Sequence, residues 1–258
     1  MRGKPVAAEE RITVRIWRGT DEGRFHAYEV PLRANQTVLD IVTEVQRRHE
    51  PALAYRFACR VGVCGSCAMT VNGVPRWTCR THVRRVLEDG GETGARTITI
   101  EPLRNLPRIK DLVADMSPFF DKWTRAGGRF EGALTRADEP QAVDPGSRRR
   151  RAADAGIECI NCGVCYAACD VVGWNPEYLG PAALNRAWTL YNDDRHADRS
   201  GLLEAVLADG GCQSCHTQGN CTRHCPVGIS PTRATAGLKR ASLWQALGFG
   251  RGRPEAKA

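Results

Sequence analysis

The run CINCGVCYAAC, Cys159 to Cys169, spaces four cysteines as CxxCxxCxxxC. Three thiols crowd one tight loop, and the fourth stands at the start of whatever follows. In two-cluster ferredoxins this spacing gives three ligands to one iron–sulfur cluster and the fourth to another, so a second cysteine segment is required. It is present as Cys215, Cys221 and Cys225, the last followed by Pro226. Zinc is the competing reading, but structural zinc prefers two separated CxxC pairs closing one tetrahedron, and the first run is too crowded for that.

Laying the first spacing on the second segment, with Cys225 as its last member, puts the template positions on Cys215, Gln218, Cys221 and Cys225. Cys159, Cys162, Cys165 and Cys225 then form a complete [4Fe–4S] set. Cys169, Cys215 and Cys221 form a set of three with an amide at the missing corner, which predicts [3Fe–4S]. Cys212 lies outside the template and is read as a free or buried cysteine, with a fourth ligand as the open alternative. Cys59, Cys64, Cys67 and Cys79 follow the Cx4CxxC spacing of plant-type [2Fe–2S] sites, with a distant fourth cysteine. Gly62 and Gly65 suit a loop that must turn sharply and aim N–H groups at sulfur.

The elements that must position these residues are legible in part. Residues 11 to 17 alternate like a half-buried strand, and Phe25 to Leu32 reads as its partner. Thr37 with Asp40 is a helix-start signal, followed by an apolar stripe of Val38, Ile41, Val42 and Val45. Met69 to Val71 reads as a strand ending in the Asn72-Gly73 turn, and Thr97 to Pro102 as a closing strand. Residues 105 to 154 read as a connector: first a partly apolar stretch with Phe119, Phe120 and Trp123, read as core, then a polar, Arg-rich linker. Its Arg148 to Arg151 run is read as a solvated face. Pro231 onward predicts a final helix reaching toward Phe249, with Leu238, Leu243, Trp244 and Leu247 partly on one side.

A chain of 258 residues suits two domains. Its twelve cysteines admit six disulfides, but the start MRGKPVAAEE has no apolar signal core, so metal is the better account. No apolar run is long enough to span a bilayer. The formal charge of +8 would point toward nucleic acid, yet the count treats cysteine as neutral. Each oxidised cluster with its thiolates carries about −2, so three clusters remove most of the excess. No histidine spacing matches a Rieske site.

One two-iron segment followed by interleaved four-iron and three-iron segments resembles the iron–sulfur subunit of succinate dehydrogenase and fumarate reductase. The matches are CRVGVCGSC, CINCGVCYAAC, WNPEYLGPAAL and CHTQGNCTRHCP, so nearly the whole chain takes part. The resemblance implies an α+β protein: an N-terminal β-grasp plant-type ferredoxin domain (1–104), a connecting segment (105–154), and an all-α two-cluster domain like bacterial ferredoxins (155–258). It implies an electron wire with no catalytic residue of its own for the dicarboxylate. The partners would be a FAD-bearing catalytic subunit and one or more membrane anchor subunits, with or without haem, and no nucleic acid. Trp174 and His216 match positions beside quinone, with the plainer readings of helical core for Trp174 and a sulfur hydrogen bond for His216. The place would be peripheral, on the cytoplasmic face of the inner membrane of a bacterium. CINCGVCYAAC is closer to fumarate reductase, whereas Trp174 and CHTQGNC are closer to succinate dehydrogenase. Asp170 and Gly173 depart from the family's usual proline and aromatic. Succinate:quinone oxidoreduction is the expected function. The alternatives are fumarate reduction, a freestanding soluble carrier and a zinc-bearing nucleic-acid binder.

Overall fold

A computed structural model describes residues 10–89 and 96–247. The N-terminal decapeptide read for an export signal lies outside them apart from Glu10, as do Gly248 and Phe249. The chain separates into two units between Asp115 and Met116.

The first unit opens with β1 (Arg11–Gly19) and β2 (Gly23–Pro31), an antiparallel hairpin. Alternation along β1 sends Ile12, Val14 and Ile16 inward. Helix α1 (Val38–Arg48) starts in a reciprocal cap: Thr37 Oγ accepts from Asp40 N at 3.2 Å, and the Asp40 carboxylate accepts from Thr37 N at 3.0 Å. Its buried stripe is Val38, Ile41, Val42 and Val45 with Leu39. β3 (Ala68–Val71) and β4 (Val74–Trp77) pair across Asn72-Gly73, both at positive φ, as a two-residue hairpin requires. After α2 (Val83–Asp89), β5 (Thr97–Glu101) enters between the two hairpins, parallel to β1 and antiparallel to β3. The sheet order is β2-β1-β5-β3-β4, and the stripe of α1 joins one core with Val14, Ile16, Ile98 and Ile100.

A small hairpin, β6 (Arg108–Lys110) and β7 (Val113–Ala114), closes the unit. Its Asp111 carboxylate accepts from Gly19 N at 2.9 Å, Ala54 N at 2.8 Å and Arg18 Nε at 3.0 Å. The segment leading into the cysteine loop is thereby tied to the end of β1.

The second unit is helical: α3 (Ser117–Arg125), α4 (Arg148–Ala153), α5 (Val164–Ala167), α6 (Asp170–Trp174), α7 (Pro181–Tyr191), α8 (Arg199–Leu207), α9 (Asn220–Arg223) and α10 (Pro231–Ala246). Among its described residues no named strand occurs. α7 packs along α10, and the approach is close, since a Cβ on Gly237 would come within 2.5 Å of the Trp188 ring. No helix among the described residues is long and apolar enough to cross a membrane.

Residues 105 to 154 divide between the units. Residues 105–115 carry β6 and β7 in the first; α3 belongs to the second, where Phe119 is buried with its ring 5.7 Å from that of Tyr166, edge to face, and Phe120 is exposed. Residues 131–142 are exposed throughout. The arginine run is a largely exposed face, and it forms the first turn of α4, capped by Ser147, whose Oγ accepts from Arg150 N at 3.0 Å. Arg149 and Arg150 pair across that exposed helix face with Asp194 at 3.0 Å and Asp154 at 3.3 Å.

Candidate metal centres

In the first unit the loop from Cys59 to Cys67 passes through positive φ at Arg60, Gly62 and Gly65. This winding turns amides toward sulfur. Val63 N–H reaches Cys59 Sγ at 3.4 Å, and the N–H groups of Val61 and Cys64 and the Cys64 thiol bear on the same sulfur. Together, the Val63 amide foremost, they draw the Cys59 thiol down to about 6. Cys79 is brought in by a single tight turn, Thr78–Arg80, whose Thr78 bonds Cys67 O through its hydroxyl at 2.7 Å and its N–H at 3.3 Å. Burial, then a hydrogen bond with Cys67, pushes the Cys79 thiol up to about 12. Such a set ionises fully only when a cation offsets the buried charge, so metal binding releases protons there. Leu39, Tyr55 and Trp77 wall the inner side.

In the second unit the cysteines ring two cavities. One is lined by Cys159, Cys162, Cys165 and Cys225 with apolar Phe119, Ile160, Val227 and Ile229. The other is lined by Cys169, Cys215 and Cys221 with Gln218, His216, Tyr178 and Thr232. Cys212 is fully buried beside Ser242 and Lys239 and lines neither. Among the described residues no three Cys, His, Asp or Glu side chains close on a single ion. Zinc needs its sulfurs about 2.3 Å from one point, whereas a cluster takes them spread around a cavity.

Two helices begin at these cavities. Pro181, the first residue of α7, lines the second cavity and Ala182 the first; Pro231, the first residue of α10, lines the first and Thr232 the second. Proline suits this position because its missing N–H has no helical partner to lose. Both positive helix ends thus face sites that suit an anionic group. The need is real, since burial pushes the Cys162 thiol up to about 12 and Cys165 well above its ordinary value.

Donors meet each sulfur of the second cavity, the Val171 and Val172 N–H groups on Cys169 among them. Thr217 N–H reaches Cys215 Sγ at 3.4 Å, Thr232 Oγ lies 3.3 Å from Cys221 Sγ, and the buried Tyr178 lines the same cavity with its phenol beside Cys215. Burial, then the charge of Cys215, pushes the Tyr178 phenol far up, so it remains a donor. Sequence reasoning passed over both hydroxyls. The signal for Thr232 was present in Ser230-Pro231-Thr232, a helix start directly after the last cysteine. Trp174 ends α6 at 57 % exposure, its ring 5.8 Å from that of His216 at 79°. The reading of Trp174 as helical core is corrected: Val171 and Val172 take the buried side of that short helix.

Comparison with known proteins agrees with this geometry. A model described as "2Fe-2S iron-sulfur cluster binding domain" matches residues 13–121, and one described as "4Fe-4S dicluster domain" matches residues 156–229. The chain is 35% identical over 228 residues to the fumarate reductase iron-sulfur subunit of Mycobacterium tuberculosis, covering 86% of this chain and 87% of that one. It is 33% identical over 211 residues to succinate dehydrogenase [ubiquinone] iron-sulfur subunit 1, mitochondrial, of Oryza sativa, covering 80% and 71%. A chain in the structure of the Mycobacterium smegmatis Sdh1 complex in the apo form superimposes with a TM-score of 0.80 at 28% identity, covering 96% of this chain and all of that one. With its cysteines divided between a sheet unit and two cavities of a helical unit, this chain belongs to the iron–sulfur subunits of succinate dehydrogenase and fumarate reductase, the electron carriers of those oxidoreductase complexes.

Proposed function

We propose that the chain carries electrons, one at a time, between a FAD-bearing catalytic subunit and quinone in a membrane-attached succinate:quinone oxidoreductase. In this reading Cys59, Cys64, Cys67 and Cys79 hold [2Fe–2S] in a β-grasp domain. Cys159, Cys162, Cys165 and Cys225 hold [4Fe–4S], and Cys169, Cys215 and Cys221 hold [3Fe–4S]. When bound, the clusters supply one-electron redox steps; the chain supplies thiolates, amide and hydroxyl donors, and positive helix ends. The observation that carries the reading is the division of seven cysteines between two cavities, with Gln218 rather than Cys212 on the three-cysteine side. The exposed Trp174 beside His216 supports a quinone edge there: an indole N–H can bond a quinone carbonyl and an imidazole can supply protons. The [2Fe–2S] end would face the flavin subunit, and the [3Fe–4S] end a membrane anchor of one or more chains on the cytoplasmic face of a bacterial inner membrane. The division at 1–104, 105–154 and 155–258 is offered as the functional partition, with residues 105–115 packing in the first unit and the rest of the middle piece in the second.

The relatives named fumarate reductase favour a second reading, the same wire run from quinol to fumarate. Low-temperature electron paramagnetic resonance of the isolated complex tests the cluster assignment. Oxidised [3Fe–4S] has an odd electron and is expected to give a narrow signal before any reductant, with the [2Fe–2S] signal following dithionite. A silent oxidised sample with full iron and sulfide would overturn the three-iron assignment. Steady-state rates with succinate and quinone, against fumarate and quinol, decide the direction.

A further inference from the structure

The two cavities of the helical unit differ in what touches sulfur. Among the described residues no hydroxyl reaches Cys159, Cys162, Cys165 or Cys225, and their cavity is lined mostly by apolar side chains. At the Cys169, Cys215 and Cys221 cavity hydroxyls bear on sulfur from two directions, with Thr222 close behind Thr232 at Cys221. From one comes Tyr178, 1 % exposed, with its phenol beside Cys215. From the other comes a chain of hydroxyls. Thr222 Oγ donates to Thr232 Oγ at 2.9 Å, so its only proton is spent there, and Ser230 Oγ, 3.2 Å from Thr222 Oγ, must be the donor in that pair. Thr232 is left with its own proton for Cys221 Sγ at 3.3 Å, and a ligating thiolate can only accept. The order is therefore Ser230, Thr222, Thr232, Cys221, each hydroxyl polarising the next. Two ammonium groups add a broader positive field: Lys239, which donates to Cys215 O at 2.8 Å, and Lys122, whose charge couples to Cys169. The hydroxyls differ from these in meeting the sulfur itself.

Reduction adds one negative charge to a cluster and its thiolates, and hydrogen bonds to sulfur strengthen as that charge grows. We infer that Tyr178 and Thr232 set the reduction potential of the cluster on Cys169, Cys215 and Cys221, raising it by stabilising the reduced state. The inference rests on the ligand sets proposed above. One electron enters, no bond is made or broken, and both hydroxyl protons stay where they are.

The test is a redox titration of the intact complex, followed by low-temperature electron paramagnetic resonance, for Tyr178→Phe, Thr232→Val, the double variant and Thr232→Ser. Tyr178→Phe is expected to lower the equilibrium constant for reduction of this cluster about tenfold, or about 59 mV for a one-electron couple. Thr232→Val shifts it in the same direction, the double variant shifts it further, and Thr232→Ser restores the parent value. The potentials of the other two clusters, and the iron content, stay as in the parent. An unchanged potential in the double variant with all clusters present would overturn the inference. Should Tyr178→Phe fail to assemble, the contrast between Thr232→Val and Thr232→Ser decides alone. Failure of the ligand reading shows differently, because the parent protein itself then lacks the oxidised three-iron signal before any variant is made. A shift in a four-iron signal would keep the inference and remove only the three-iron assignment.

Discussion

Trp174 and His216 stand edge to face, ring centroids 5.8 Å apart, with the indole exposed and the imidazole lining the cavity of Cys169, Cys215 and Cys221. If quinone reacts there, His216→Ala lowers quinone reduction about a hundredfold, in the range typical of a lost proton donor. Succinate oxidation with an artificial acceptor that takes electrons at the flavin subunit stays near the parent rate. The ratio of the two activities is the measurement, and equal losses in both would remove His216 from the quinone edge.

Gln218 and Cys212 separate two accounts of the three-cysteine site. Gln218→Cys is expected to complete a fourth ligand and abolish the narrow signal of the oxidised protein, with iron content rising by one atom per chain. Cys212→Ser, whose side chain does not line that cavity, leaves the signal and the iron content unchanged.

Gly62 is at φ +80°, and a Cβ there would lie 2.7 Å from Trp77. Gly62→Ala therefore combines a left-handed backbone cost of about 1–2 kcal/mol with an overpacked wall costing a further 1–3 kcal/mol or so. The reduced [2Fe–2S] signal should fall well below one per chain, while the signals of the helical unit keep their parent intensity.

Asp111 is 1 % exposed in its side chain and accepts three hydrogen bonds, one from Arg18. Its backbone, at φ 49°, tolerates asparagine, so Asp111→Asn tests charge rather than conformation. Leaving Arg18 with its more exposed Glu50 as its one charged partner among the described residues, beside the Tyr28 hydroxyl, is expected to cost about 3 kcal/mol in denaturant unfolding of the full chain. Hydrogen bonds from Ala54, Gly19 and Arg18, with the Arg18 charge, outweigh burial and hold the Asp111 carboxyl below its ordinary value. A depressed folded value means the stabilisation is present above the unfolded carboxylate range, near pH 4, and is lost as pH falls through the lower folded value. The parent should thus lose stability below about pH 4 more steeply than Asp111→Asn, whose amide does not titrate.

The sheet unit was largely readable because its signals are local. Alternation in β1, the Thr37 cap and the Asn72-Gly73 turn each specify their element within a few residues. The cysteine sets were readable because ligand spacing is a property of the chain. What escaped was made by distance or by short elements. α4 carries four arginines in succession, which leave no apolar stripe, and one of its partners, Asp194, lies 45 residues away. α6 has too few residues to show a period, so the side occupied by Trp174 was not legible. Asp111 and Tyr178 act on residues far off in sequence, or on a cysteine whose position only the fold supplies.

The contact of Gly237 with Trp188 bears on spacing as well as on stability. α7 and α10 both begin at the two cavities, and their depth of mutual packing is set where the indole rests on bare backbone. Electron tunnelling weakens exponentially with the gap to be crossed. A methyl group at Gly237 would come within 2.5 Å of the indole, so ring or helices would have to shift, and with them the spacing of any centres seated at the two cavities. The absence of one side chain on a helix surface thereby fixes the tolerance to which this conductor is built.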